Sequence, residues 1–426
     1  MTRHMSRGRR IVTLAAVLAV GLATPALAVT SVPAPDTSFG SGGVAQAGGP
    51  ASERFYDVVE TGLGVYAVGS SMNDRRWNGM VARFTPTGQL DTTFSGDGVA
   101  WFSRGTWAVF DSVAVQRDGR LVISGSVDGT AVVVRMLPGG RLDPSFSADG
   151  IKPLPAAGTC TPTFVALDDL GRITVATSQR PNGERWPADV AIWRVLPAGG
   201  LDPTFGNKGY RRLDLAVADT ARGLLIDASG RPVLMTAGYR PSVPGAPGML
   251  VRLTVAGRLD GTFGGDGWLP LRIQQLGGTW PVAVEETAPG TLVVGAAGSM
   301  NYRLGVIYVL SDGTLDPSYG VDGVSATMAS QDAVVWRGGT LTDSGYVFAG
   351  AVWPSGANDA QKLYLARFAP TGGFDPTFGS SGEYVANLRV GAEYYYGVGI
   401  DAAGELLIAG RDKSSGLLVR YVINSL

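Results

Sequence analysis

The sequence predicts an all-β protein: a seven-bladed β-propeller of seven repeats, each about 52–60 residues, with the ring closed by its N- and C-terminal segments. Three observations predict it. A nine-residue motif recurs seven times. A turn Gly followed by an apolar run trails each copy at nearly fixed distance. The composition is strand-like: Gly is 62 of 426 residues, hydrophobic residues are 45% and charged residues only 17%, which is too apolar for disorder and heavily punctuated by turns.

The first element is residues 1–28. Arg3, Arg7, Arg9 and Arg10 precede an apolar run from Ile11 to about Thr24, followed by Ala26-Leu27-Ala28. That is the pattern of a secretory signal peptide cleaved after Ala28. The run is shorter than the roughly 20 residues of a membrane span, and no other stretch is long enough without charges. Arg9-Arg10 raises the twin-arginine route, although Val12 and Thr13 stand where a bulky apolar pair is usual. The expected mature chain starts at Val29 and is secreted, with 29–34 as a short linker and 35–426 as one propeller domain.

Residue counts exclude several chemistries. The only His is His4, inside the leader, so His-based triads, His-ligated zinc and His acid–base catalysis are unavailable to the mature chain. Cys160 is the only Cys, which rules out an internal disulfide; it reads as an inert, partly buried side chain, with a reactive thiol as the alternative. The net charge is −1, and no basic patch points to nucleic acid.

The motif copies are PDTSFGSGG (35–43), LDTTFSGDG (90–98), LDPSFSADG (142–150), LDPTFGNKG (201–209), LDGTFGGDG (259–267), LDPSYGVDG (315–323) and FDPTFGSSG (374–382). Every copy has the Asp: Asp36, Asp91, Asp143, Asp202, Asp260, Asp316 and Asp375. Ser or Thr follows two residues later, an aromatic three later and Gly seven later. The turn glycines Gly64, Gly119, Gly171, Gly230, Gly290, Gly345 and Gly404 come 28–30 residues after each Asp and open the runs that read as buried strands. For the second unit the four strands are expected near VAWFS (99–103), VFDSVAVQ (109–116), LVISGS (121–126) and AVVVRML (131–137). An open β-solenoid is the rival architecture, but its turns recur every 20–30 residues or so.

The motif L-D-P-S-F-G-x-D-G resembles the delta-60 repeat family of secreted bacterial proteins, and the resemblance runs from Pro35 to Leu426. The copies depart from it at Pro35, Gly42, Ser95, Ser147, Lys208 and Ser381. It implies a repeat architecture outside the cytoplasm and brings no activity, substrate or catalytic residue.

The repeated Asp reads as a turn-holding carboxylate and the aromatic as a wedge between blades. No cofactor is expected; the alternative is calcium at the paired acids Asp91/Asp97, Asp143/Asp149, Asp260/Asp266 and Asp316/Asp322, a pairing that fails at Gly42, Lys208 and Ser381. Eight residues before a motif Asp stand Arg83, Arg135, Arg194, Arg252 and Arg367, with Tyr308 breaking the series. They read as Arg–Asp pairs, the alternative being a cationic ring in the central channel. Arg420 occupies the same register at the C-terminal end, so its expected partner is Asp36, across the closing joint.

Length variation concentrates in SSMNDRRWNG (70–79), SQRPNGERWPAD (178–189), YRPSVPGAPG (239–248), GSMNYR (298–303) and VWPSGANDAQ (352–361). These share one face with the segments holding Trp107, Trp280 and Tyr394 to Tyr396, opposite the motif turns. Trp77, Arg185, Trp186, Tyr239, Tyr302 and Trp353 are the candidate binding residues there. The expected function is a non-catalytic binding or scaffold module for a protein or glycan ligand, without nucleic acid or membrane span. The alternative is a His-free hydrolase or lyase using carboxylates or a metal in the central cleft, which acids converging at one channel mouth would favour.

Overall fold

The computed structural model describes residues 31–48, 52–73, 75–155, 158–180, 189–214, 220–237, 248–298, 303–330, 334–352, 362–386, 394–412 and 414–423. Seven antiparallel sheets follow one another as blades: 52–102, 108–153, 159–213, 220–270, 279–328, 334–386, and 394–422 completed by 44–47. The innermost strands of successive blades pack side by side, and Tyr394–Ile400 of blade 7 lies against Ser52–Thr61 of blade 1, which closes the ring. It is a seven-bladed β-propeller.

Blade 2 shows the pattern. Ala108–Val115 is innermost, followed outward by Leu121–Val127, Thr130–Met136 and Ile151–Pro153. The two middle strands are buried almost throughout, because a neighbouring blade covers each side; hence their continuous apolar sequence. The cores lie between blades. Tyr66, Val81 and Phe94 of blade 1 pack with Phe110, Ile123 and Val134 of blade 2 in one cluster.

Blade boundaries differ from the expected grouping by one strand. VAWFS does not open blade 2; Val99–Phe102 is the outer strand of blade 1, paired from Val99↔Ala82 to Phe102↔Gly79. The reason lies in the motif turn. Asp91 N–H donates to Arg83 O at 2.9 Å and Arg83 N–H to Gly98 O at 3.0 Å, so residues 91–98 fold the chain back onto the strand it has just left. The motif is therefore a turn within a blade rather than a link between blades.

The N-terminal segment completes blade 7. Val44–Ala47 pairs with the last strand from Val44↔Val419 to Ala47↔Gly416, and Ala34 and Pro35 pair with Val422 and Tyr421. The expected linker 29–34 needs correction, because its described part belongs to the ring: Ser31 donates to Thr377 O at 2.6 Å and accepts from Gly379 N at 2.9 Å. The single helical element among the described residues is the 3-10 turn Gln274–Leu276, and no described helix is long and apolar enough to cross a membrane.

Candidate functional site

The motif residues form a clasp. In blade 2, Asp143 Oδ1 accepts from Ser145 N–H at 2.9 Å and from its hydroxyl at 2.6 Å, while Oδ2 accepts from Arg135 Nε at 2.8 Å. Arg135 Nη2 donates to Ser145 Oγ at 3.0 Å, and Nη1 to Pro197 O of blade 3 at 2.5 Å. The guanidinium lies 4.7 Å above the Phe146 ring. One Arg thus satisfies its own turn and grips the next blade. The structure repeats this with Arg83/Asp91, Arg194/Asp202, Arg252/Asp260 and Arg367/Asp375. Across the closing joint, Arg420 Nε donates to Asp36 Oδ2 at 2.7 Å. In blade 5, Tyr308 stacks on Tyr319 at 4.3 Å, and Asp316 has no Arg partner among the described residues, holding only Ser318.

These arginines sit on third strands, buried between blades, so a cationic channel ring is not formed from them. Burial opposes ionisation at Asp143, Asp202, Asp260 and Asp375, but the Ser or Thr donors and the guanidinium outweigh it and hold the carboxyls below their ordinary value. At Asp91, Asp143 and Asp260 the calcium alternative does not fit: both motif oxygens face protein donors, and the second acids Asp97 and Asp149 each accept from a strand N–H, at Val99 and Ile151. At Asp316 only Oδ1 is held in this way by described residues. Among the described residues no three His, Cys, Asp or Glu group as a metal cage. Cys160 is wholly rather than partly buried, and burial pushes its thiol up to about 11, which leaves it neutral and unreactive.

On the loop face, the stretch 70–79 is not a loop. Gly64–Asn73 and Arg76–Phe84 continue as a hairpin, turning at Arg75 with φ 64°. This brings Trp77 to Trp107, with ring centroids 5.4 Å apart and planes at 33°, and the Arg54 guanidinium 4.6 Å over Trp77. Trp107 is 49% exposed. Arg222 covers Trp280 at 5.1 Å and Arg411 covers Tyr394 at 4.5 Å in the same way. Arg185, Trp186, Tyr239, Tyr302 and Trp353 lie outside the described residues.

The channel carries a second constellation. Each innermost strand slips register near its start, leaving one residue in excess; Tyr56, Asp111, Arg222, Val282 and Tyr396 occupy the slips of blades 1, 2, 4, 5 and 7. Such bulges redirect a side chain, and here those five border an axial cavity of about 300 Å³. Because innermost strands begin at the loop face, the cavity lies in that half of the channel. Two acids border it. Asp57 accepts from Val58 N and from Val113 N of the next blade, both at 2.9 Å; Asp111 Oδ2 accepts from Thr163 N and Oγ1 of the next blade, both at 3.0 Å. Burial pushes each carboxyl up to about 6 despite these donors. Nothing in the repeated motif marks Tyr56, Asp57, Asp111 or Arg222. The signal for Tyr56, Asp111 and Arg222 is the reverse of repetition: they fill equivalent positions with unlike side chains.

Comparison with known proteins agrees with this architecture. Residues 116–146 match the model of a β-propeller domain of unknown function, DUF5122, which with the seven blades fits a propeller-repeat family. No curated protein sequence matches the chain. Among solved structures, a streptogramin B lyase is 12% identical with a TM-score of 0.54, covering 89% of this chain and 97% of that one. A virginiamycin B lyase from Staphylococcus aureus is 10% identical at 0.52, covering 89% and 99%. A catalytically inactive His-to-Ala variant of that lyase, with quinupristin, is 11% identical at 0.53, covering 88% and 98%. At such identities the likeness is one of fold.

Proposed function

We propose that this chain is a secreted, non-catalytic propeller of the delta-60 repeat kind that engages a protein or glycan ligand on its loop face. The observation that carries this reading is the Arg54–Trp77–Trp107 stack, which holds a half-exposed indole surface rigid on that face. A folded protein gains little stability from an indole left in water, whereas pre-ordered Trp and Arg are efficient anchors for peptides and sugars. The leader at 1–28 supports export. The lyase fold gives a competing enzymatic reading, which Asp57 and Asp111 at the channel favour. Against it, both carboxylates hold backbone or hydroxyl groups of the next blade, and the one His, His4, precedes the ring.

A glycan and peptide array probed with the purified mature protein tests the proposal. Hits are expected, lost in Trp77→Ala and Trp107→Ala with little change in melting temperature. Retained binding in both variants, or turnover of an array compound that Asp111→Asn abolishes, would reject it. Secreted protein is expected to begin at Val29; a retained Met1 on N-terminal sequencing would reject export by a cleaved leader.

A further inference from the structure

Six of the seven clasps use the same Asp, aromatic and Arg chemistry, as a repeated mechanical task requires. The channel lining breaks this rule at one level of the ring. Going round it, Tyr396 and Tyr56 are neighbours with ring centroids 5.2 Å apart, and Asp111 follows on the next blade. Phe164 and Val282 form apolar wall on either side of Arg222 in blade 4, which stands across the ring from the tyrosines. Among the described side chains the lining is therefore anionic and aromatic on one arc and cationic on the opposite arc. A ring held only for stability gains nothing from such polarity. An oriented ligand does.

The two acids are not equivalent. Asp57 uses both oxygens on backbone N–H groups, so it belongs to the joint between blades 1 and 2. Asp111 holds Thr163 through Oδ2 alone, no bond to Oδ1 is made among the described residues, and the residue borders the cavity. A carboxylate oxygen beside aromatic faces suits an ammonium group, through a charge-assisted hydrogen bond and cation–π attraction. Arg222, whose guanidinium also lies 5.1 Å over the Trp280 ring, borders the cavity from the other side, and a guanidinium suits a carboxylate. A cavity of about 300 Å³ is at the small end for ligands, which limits the guest to a compact molecule.

We propose that the central channel binds a small α-amino zwitterion of the amino-acid or dipeptide class, with its ammonium on Asp111 beside Tyr56 and Tyr396 and its carboxylate on Arg222. This site is separate from the Trp77–Trp107 surface, and either can fail without the other.

Calorimetry on the full mature protein tests it with L-alanyl-L-alanine, its N-acetyl form, its C-terminal amide and a mixture of the common free amino acids. The free dipeptide or an amino acid of the mixture is expected to bind. Blocking either end should weaken dipeptide binding by about ten-fold or more, the worth of one charge-assisted contact. Asp111→Asn keeps an acceptor for Thr163 and should bind the free and N-acetyl forms alike. Arg222→Gln, on an exposed side chain, should lose discrimination between acid and amide, so a folding defect in the first variant leaves the second to decide. Absence of heat with every compound up to about 10 mM, or equal binding of free and blocked dipeptides by the unaltered protein, overturns the proposal.

Discussion

Arg194 and Asp202 are both almost fully buried and 2.8 Å apart, and the Arg also holds Thr204 and Val255 O of the next blade. Such a pair is strongly destabilised when one partner is removed, since the other charge is left buried and unpaired. Asp202→Ala is expected to cost about 3–5 kcal/mol in denaturant melts. Asp316→Ala removes the same motif carboxylate where Tyr308 replaces the Arg and should cost far less; equal losses would show that the turn bonds, not the ion pair, hold the clasp. Acid behaviour separates the two kinds of Asp. Asp57 and Asp111 bind protons more tightly folded, at about 6, than at their ordinary value of 3.8, so stability should rise as pH falls from about 7 to about 4. The motif carboxyls, held low, act the other way and lose their contribution below about pH 4. A melting maximum near pH 4–5 is expected, and Asp57→Asn should flatten its neutral side. A monotonic fall from pH 7 downward would contradict this assignment.

The motif turn depends on two further residues besides its hydrogen bonds and ion pair. Phe205 is fully buried under Arg194, whose guanidinium is 4.7 Å from its ring, in the core shared by blades 3 and 4. Phe205→Ala should cost about 3–5 kcal/mol, as large core truncations do. Gly209 closes the same turn at φ 92°, and a Cβ there would stand 2.7 Å from Leu201 Cβ and 3.1 Å from Asp202 N. Gly209→Ala therefore combines left-handed strain with a clash against backbone, and a loss of about 1–3 kcal/mol is expected. A melt unchanged by either substitution would remove the turn from the list of structural determinants.

For the ring as a whole, the joint with the fewest clasp bonds among the described residues is not the one where the chain ends meet. Six joints carry two bonds each from the clasp: an Arg Nη1 and the N–H after the motif aromatic, both to carbonyls of the next blade, as with Arg252 to Ser311 O and Gly264 to Asp312 O. The terminal joint has both, through Arg420 to Pro86 O and Gly40 to Thr87 O. Between blades 5 and 6 Tyr308 supplies no guanidinium, Gly320 N–H makes no such bond among the described residues, and Gly373 N–H reaches Ser325 Oγ instead at 2.6 Å. Native-state hydrogen exchange should find Val324–Met328 and Gly345–Val352 opening at lower free energy than Gly416–Val422. First opening at Gly416–Val422 would place the weak joint at the termini.

The seven copies of the motif were enough to determine the repeat number, the strand-rich architecture and the Arg420–Asp36 joint, because a clasp repeated in register is encoded in local spacing. Neither the phase of the blades nor the channel could be read that way. Whether VAWF closes one sheet or opens the next depends on backbone bonds between Arg83, Asp91 and Gly98, which fold the motif back on its own blade. The expected aromatic face is legible in part, at Trp77. Its contact with Trp107 arises because a hairpin of one blade reaches the entry strand of the next, 30 residues on. Tyr56, Asp111 and Arg222 acquire a common meaning only when ring closure sets their bulges around one axis. Local chemistry is written in each repeat; what converges on the axis is a property of seven repeats joined, and it exists only in the tertiary structure.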